Sequence, residues 1–218
     1  MFATPAATEQ YADLASVAPR WTLVEERALA SLSDSVTPAG VVGLCRFLDR
    51  PLDDVLSAAE LVAICADVRD PGNAGTVLRC ADAAGADGVV FAGHSVDAYN
   101  PKTVRASVGS LFHVPIATEA DPAAAIRAAR AAGLQVLAAD GAGEVDLDHA
   151  DELLAAPTAW LFGNEAWGLP SELAELADHR VRIPIHGRAE SLNLSTAAAL
   201  CLYASARAQR STTPGATA

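Results

Sequence analysis

From residue 61 onward, short apolar runs alternate with alanine-rich segments, and this alternation leaves few folds open to the chain. The runs with strand character are ELVAICADV, GVVFAG, HVPIAT, LQVLAAD, TAWLFG and HRVRIPI. The segments with helical character are AGTVLRCADAAGA, NPKTVRASVGSLF, DPAAAIRAARAAG, PSELAELAD and LSTAAALCLYASARAQR. Several strands are apolar throughout, which is typical of strands covered on both faces. The pattern predicts an α/β fold: a mostly parallel sheet with helices on both faces and ligands bound at the carboxyl ends of the strands.

The first sixty residues do not follow this alternation. WTLVEERALASLSD is typical of an amphipathic helix, and GVVGLCRFL is typical of one apolar strand. Two elements are too few for an independent domain, so we expect residues 1–60 to be part of one and residues 61–210 to form the main domain. The end of the chain, residues 211–218, has the composition of a disordered tail.

Composition excludes several classes of protein. Apolar stretches end well before the roughly 18 residues that a membrane span needs, and the N-terminus lacks a basic region followed by an apolar run. We therefore expect a soluble, cytoplasmic protein that does not use a membrane. The 4 cysteines form no C-x-x-C pair and the 5 histidines are scattered, so buried thiols and no metal site are predicted.

The charge distribution is uneven. A formal net charge of −12 argues against nonspecific nucleic-acid binding, which normally uses a basic surface. However, the segment 140–152, DGAGEVDLDHADE, carries six acids and no Lys or Arg, and it is expected to be a solvated acidic loop. Arg69, Arg79, Lys102 and Arg105 fall in or near two predicted helix starts, where they could form a local positive site.

Two strand ends carry unusual loops. In DVRDPGNAGTVLR, the Pro71-Gly72 pair predicts a turn, Asn73 could cap a helix and Arg79 could be a surface residue. This loop has neither the G-x-G-x-x-G spacing nor a Gly-Lys-Ser/Thr, so it is not a dinucleotide fingerprint or a P-loop. In LFGNEAWGLP, Glu165 lies between two glycines, where it could contact a cation or a hydroxyl, or simply belong to a turn.

A third strand end, IPIHGRAESLNLSTAAA, places four polar residues at one predicted helix start. These are Ser191, Asn193, Ser195 and Thr196. One N-cap needs only one such residue. The helix start is therefore either frayed or turned toward a ligand.

Taken in order, NAGTVLR, LFGNEAWGLP and IPIHGRAESLNLSTAAALCLY resemble the three motifs of the SpoU (TrmH) family of RNA ribose 2′-O-methyltransferases, in the knotted SPOUT class. The likeness extends over about residues 61 to 208. It implies a deep trefoil knot in the C-terminal part of the sheet and S-adenosyl-L-methionine as the cofactor. By motif position, Gly163, Ile183 and Leu192 would hold this cofactor, and the strand end from Ala139 to Gly141 would line the same pocket.

The resemblance also implies the reaction, which is methyl transfer to a ribose 2′-hydroxyl of transfer RNA or ribosomal RNA in a homodimer. Arg79 would be the catalytic arginine, acting from the partner subunit. Because an arginine is almost never deprotonated, we assign it to phosphate binding and oxyanion stabilisation rather than to a free base. Asn73, Glu165, Ser191 and Asn193 would order the arginine and the ribose.

The resemblance further implies an N-terminal RNA-recognition domain, of which residues 1–60 would be an L30e-like remnant, and weak RNA binding is expected if most of it is missing. A dimer interface is expected on the last helix, where Ala197, Leu200, Cys201 and Ala204 recur at helical spacing.

Two other functions fit the sequence less well. A noncatalytic RNA- or protein-binding module of the same fold would have no chemical need for the polar residues of the three motifs. A Rossmann-like oxidoreductase is disfavoured by the missing glycine fingerprint.

Overall fold

A computed structural model describes residues 1–33, 35 and 38–212. The chain divides into two compact units, Met1–Phe47 and Leu48–Ala218. This division comes thirteen residues before the boundary at residues 60 and 61 that the alternation suggests. The reason is a short helix, Leu52–Leu56, which buries Val55 and Leu56 in the core of the second unit.

The first unit is small and has short elements. Its strands and helices are β1 (Phe2–Ala3), α1 (Pro5–Gln10), α2 (Ala12–Val17), β2 (Thr22–Leu23), α3 (Glu26–Ser31) and β3 (Val41–Val42). The strands form a sheet in the order β2-β1-β3. The expected amphipathic helix corresponds to α3, which begins only at Glu26, and the expected apolar strand corresponds to β3, which is two residues long. Whether this unit is an L30e-like remnant stays a prediction.

The second unit contains the expected alternation of strands and helices. Its elements are α4 (Leu52–Leu56), β4 (Leu61–Ala66), α5 (Pro71–Ala84), β5 (Gly88–Ala92), α6 (Pro101–Ser107), a 3₁₀ turn (Ser110–Phe112), β6 (Ile116–Glu119), α7 (Pro122–Ala131), β7 (Gln135–Ala139), β8 (Val145–Asp146), a 3₁₀ turn (Leu147–His149), α8 (Asp151–Leu154), β9 (Thr158–Phe162), α9 (Ser171–Ala174), β10 (His179–Arg182) and α10 (Leu194–Thr212).

Seven strands form one sheet in the order β6-β5-β4-β9-β7-β10-β8, and every pairing in it is parallel. Every residue of β4, β5 and β9 is buried. Alternate residues of β4 contribute to two separate cores, one shared with α5 and α10 and the other with α4 and α7. The predicted α/β fold, with helices on both faces of a parallel sheet, is confirmed.

The last two strands lie between strands that precede them in sequence. Strand β9 lies between β4 and β7, and β10 lies between β7 and β8. All pairings being parallel, the carboxyl ends of β4, β9, β7 and β10 meet side by side at one edge. Four loops distant in sequence are thereby brought together, as the general rule for such sheets requires. The knot remains an implication of the family likeness.

The acidic segment 140–152 is solvated, as predicted, since Glu144, Asp148, Asp151 and Glu152 are exposed, but it is not a loop. It contains the edge strand β8, a 3₁₀ turn and the first two residues of α8. Three of its acids pair with arginines: Glu144 with Arg180 at 3.1 Å, Asp146 with Arg182 at 3.1 Å, and Asp151 with Arg207 at 3.2 Å. These arginines come from β10 and α10, later in the chain, so the segment read alone could not reveal its partners.

Two other expectations need correction. Cys65 and Cys201 are buried and Cys80 is half-buried, but Cys45 is exposed, so not every thiol lies in the core. The terminal helix continues to Thr212, two residues into the predicted tail; residues 213–218 lie outside the described residues. Within the described part of the chain, no helix is long and apolar enough to cross a membrane.

Candidate functional site

A pocket of about 650 Å³ opens at the carboxyl ends of β7, β9 and β10. It lies where the sheet order predicts a ligand site. Its lining includes all five residues expected to hold a cofactor: Ala139, Gly141, Gly163, Ile183 and Leu192. We call these five residues the pocket wall. The wall consists of main chain, alanine and two branched aliphatic side chains, which suits a flat, largely apolar ligand.

The two glycines of the pocket wall differ in the space around them. A Cβ atom on Gly163 would lie 2.4 Å from the carbonyl carbon of Gly168 and 2.6 Å from the nitrogen of Leu169. A Cβ atom on Gly141 would meet nothing within 4 Å. Gly163 therefore allows two main-chain segments to touch at the pocket, whereas Gly141 borders open space.

The close approach at Gly163 belongs to a tight hairpin, residues 164–168. Asn164 and Gly168 exchange two main-chain hydrogen bonds, of 3.0 Å and 2.9 Å. The buried side chain of Asn164 holds the hairpin in place, since its Nδ2 donates to the carbonyl of Asp67 at 2.8 Å and its Oδ1 accepts from the Ala166 N–H at 2.8 Å. The hairpin is thus tied to the end of β4 as well as to β9.

The carboxylate of Glu165, in this hairpin, accepts hydrogen bonds at the start of α5. Its partners are the N–H groups of Arg69, at 3.3 Å, and Asp70, at 3.0 Å, and the Nδ2 of Asn73, at 3.3 Å. A negative charge at a helix N-terminus is favoured by the helix dipole and by the unpaired amides there. Glu165 also affects Cys65 at the end of β4, because burial, with a smaller contribution from this negative charge, raises the pKa of that thiol to about 12.

The start of α5 differs from the sequence prediction. Pro71 and Gly72 do not form a separate turn; Pro71 is the first helical residue, a position that proline favours. The N-cap is Asp70, whose side chain accepts from the Asn73 N–H at 2.7 Å. Asn73 is therefore not the cap, and its side-chain amide is available to other partners.

Asn193 connects the start of α10 to the start of α5. Its Oδ1 accepts from the Ser195 N–H at 2.9 Å and the Thr196 N–H at 3.3 Å, which caps α10. Its Nδ2 donates to the Oδ1 of Asn73 at 2.9 Å. One side chain thus caps its own helix and binds a residue 120 positions away. We call Glu165, Asn73 and Asn193 the polar cluster.

The other two predicted catalytic residues lie outside the polar cluster. Ser191 is exposed and lines the pocket. Arg79 is exposed on α5 and is not part of the pocket lining. Six residues separate it from Asn73, which is about 9 Å along the helix and about a third of a turn around it. Within the described residues, Arg79 makes no side-chain hydrogen bond or ion pair.

Three site residues were not singled out from the sequence. Asp70 caps α5 and Asn164 anchors the hairpin. Asp67 directly follows β4 with a φ of 56°, and its carboxylate accepts from the His94 N–H at 2.7 Å. Asp and Asn are the residues that favour caps and left-handed turns. Their types were a usable signal, but their long-range partners were not visible in the sequence.

Comparisons with known proteins agree with this architecture. The model of the SpoU rRNA Methylase family matches residues 60–203. The chain is 37% identical over 174 residues to a 23S rRNA (uridine(2479)-2′-O)-methyltransferase of Streptomyces viridochromogenes, an alignment covering 78% of this chain and 61% of the relative. It is 33% identical over 184 residues to the 23S rRNA (guanosine(2553)-2′-O)-methyltransferase RlmP of Bacillus subtilis, which covers 83% of this chain and 70% of the relative.

A solved structure is also similar. The AdoMet-bound rRNA methyltransferase from Sinorhizobium meliloti superimposes with a TM-score of 0.81 at 38% identity, covering 94% of this chain and 79% of the other. The chain thus spans 61% of the length of the Streptomyces relative and most of the solved structure.

Proposed function

The chain belongs to the SpoU rRNA methylase family, as its three motifs predicted, and from this premise we propose that it transfers a methyl group from S-adenosyl-L-methionine to a ribose 2′-hydroxyl of ribosomal or transfer RNA. The observation that carries the proposal is the position of the polar cluster beside a pocket with an aliphatic wall. The names of the relatives given above favour ribosomal RNA. Because such RNA is cytoplasmic, we place the protein in the cytoplasm.

The pocket wall fits the cofactor in size and in chemistry. A volume of about 650 Å³ is ordinary for a cofactor site. Ile183 and Leu192 would flank the adenine, and the main chain at Gly163 and the Ala139–Gly141 strand end would contact the polar groups. When bound, S-adenosyl-L-methionine supplies a methyl group on a sulfonium. Transfer would break the carbon–sulfur bond and form a carbon–oxygen bond, and the hydroxyl proton would be released to solvent water.

The polar cluster would position the reactants. The Glu165 carboxylate already accepts hydrogen bonds from two main-chain N–H groups and from Asn73, so its oxygens are engaged in holding the start of α5. We assign it and Asn193 to holding the starts of α5 and α10 together. Ser191, exposed at the pocket, would hydrogen-bond the ribose.

Arg79 requires a second subunit in this proposal. It lies on the surface of α5, outside its own pocket, so Arg79 of the partner subunit would supply the positive charge that stabilises the developing oxyanion. The dimer would use α10, where Leu200 is 44% exposed and Tyr203 is 51% exposed. Cys201, expected at this interface, is instead buried in the core of its own chain.

Three measurements test the proposal. Calorimetry with S-adenosyl-L-methionine and with NAD should show binding of the first only, and tritiated methyl groups should be incorporated into RNA from a strain lacking the gene. Cofactor binding without transfer to any RNA would favour the noncatalytic module. Light scattering should give a dimer at micromolar concentration, and a monomer would contradict the shared site.

A further inference from the structure

Trp167, in the hairpin 164–168, is an exposed residue outside the polar cluster. Trp167 is 56% exposed, although it is the largest apolar side chain in this part of the molecule. Its neighbours on both sides, Ala166 and Gly168, line the cofactor pocket. An aromatic ring is therefore held in solvent immediately beside the pocket, where the reacting ribose would have to lie.

Arg69 completes this surface. Its guanidinium carbon lies 5.3 Å from the centre of the Trp167 ring, within the range of a cation–π contact. Arg69 is exposed, and among the described residues its side chain makes no ion pair. The charge is thus held over the ring rather than neutralised by a carboxylate, even though Glu165 accepts a hydrogen bond from the main chain of Arg69.

Both residues are held by rigid parts of the structure. Trp167 belongs to a hairpin closed by two main-chain hydrogen bonds and anchored by Asn164. Arg69 directly precedes Asp70, the N-cap of α5. Little backbone freedom would be lost on binding, which favours affinity.

We propose that Trp167 and Arg69 form a stacking platform for an unpaired base of the RNA, next to the nucleotide whose ribose is methylated. This inference rests on the proposed function and assigns it a base-binding position outside the three motifs' polar residues. An exposed tryptophan binds a base through its π-face, and a guanidinium adds charge attraction to the base or to the adjacent phosphate. Such platforms select single-stranded segments, because bases in a duplex are already stacked.

The test compares three substitutions by kcat/KM for RNA taken from a strain lacking the gene. Trp167→Ala should lower kcat/KM about tenfold to a hundredfold, the range for loss of one base–aromatic stack. Trp167→Phe keeps an aromatic face and should retain most of the activity. Phe112→Ala is the matched control, since Phe112 is similarly exposed, at 57%, but its sequence neighbours do not line the pocket, and it should behave as the parent. Calorimetry should show unchanged cofactor affinity in all three.

Fluorescence gives a readout independent of turnover. The difference between the parent and Trp167→Phe spectra isolates the emission of Trp167, which should be quenched by a short single-stranded oligoribonucleotide and not by the same sequence in a duplex. Binding of the labelled oligoribonucleotide is followed separately by anisotropy.

The outcomes separate two failures. If the parent methylates RNA but Trp167→Ala matches it, or if the alanine and phenylalanine variants lose equal activity, the platform is wrong and the proposed function stands. Equal loss in Phe112→Ala, or unquenched Trp167 at saturating oligoribonucleotide, also overturns the platform. If the parent binds cofactor but neither binds nor methylates RNA, the proposed function fails and the platform with it.

Discussion

The pocket wall and the polar cluster lie at the same edge of the sheet but are built differently. The wall is made of main chain and apolar groups, and its tightest point is the contact between Gly163 and Gly168. The cluster is made of side-chain hydrogen bonds between Glu165, Asn73 and Asn193. In the pocket wall, a substitution is therefore limited by the free space around the residue. In the polar cluster, it is limited by the hydrogen bonds that the new side chain can make. Cofactor binding and methyl transfer should therefore be separable by mutation.

The largest loss of activity is expected from a substitution in the pocket wall. Gly163→Ala places a Cβ atom against the main chain of Gly168, which cannot move without breaking the hairpin. Overpacking of this kind costs about 1–3 kcal/mol of folding free energy. We expect both cofactor binding and methyl transfer to be lost, as measured by calorimetry and tritium incorporation. Normal cofactor affinity in this variant would show that the wall tolerates added volume.

Substitution of Arg79 is expected to reduce methyl transfer without reducing cofactor binding. Because Arg79 lies outside the pocket lining, Arg79→Ala should leave cofactor affinity nearly unchanged. Removal of an oxyanion-stabilising group lowers the rate by about a hundredfold or more. Mixing this variant with one inactive at Gly163 should restore part of the activity if the arginine acts across the dimer. Normal turnover in the Arg79→Ala protein would contradict its catalytic role.

A smaller effect is expected at Asn193, where two substitutions separate capping from positioning. Asn193→Ser keeps an N-cap oxygen but cannot reach Asn73, so stability should be retained while methyl transfer falls about tenfold, the equivalent of one hydrogen bond. Asn193→Ala should show the same loss of activity and also lose about 1 kcal/mol of unfolding free energy. Chemical denaturation and initial rates measure both. Equal activity in the serine variant and the parent would remove Asn193 from the polar cluster's function.

The smallest effect is expected at Gly141. A Cβ atom there meets no other protein atom within 4 Å, so Gly141→Ala should change the free energy of unfolding, measured by chemical denaturation, by less than about 0.5 kcal/mol. It is the matched control for Gly163→Ala, since both glycines line the same pocket and neither has a positive φ. A loss of stability at Gly141 as large as that at Gly163 would mean that crowding of the main chain is not what destabilises the Gly163 variant.

Much of the fold was predictable because it depends on local patterns. The six strands of the alternation were located to within a few residues, since each is a continuous apolar run bounded by turn residues. The start of α5 was misplaced because Asn73 and Asp70 are both good caps, and only the hydrogen bond from Asn73 to the Asp70 carboxylate distinguishes them. The regular structure of the acidic segment was not predictable because its arginine partners come later in the chain.

In the candidate site, too, local features were predictable from the sequence and long-range contacts were not. Its residue types and their order were visible in the motifs, which is why all five wall residues were found to line one pocket. The two uses of Asn193, as cap and as partner of Asn73, were not visible, because they join helices 120 residues apart in sequence. Apolar periodicity and family motifs are local properties of the sequence, so the sequence alone determines them. Three features arise only when the sheet forms: the pairing of β9 with β4 and β7, the ion pairs of the acidic segment, and the contact between the starts of α5 and α10. Each joins groups that are far apart in sequence and become neighbours only in the folded sheet.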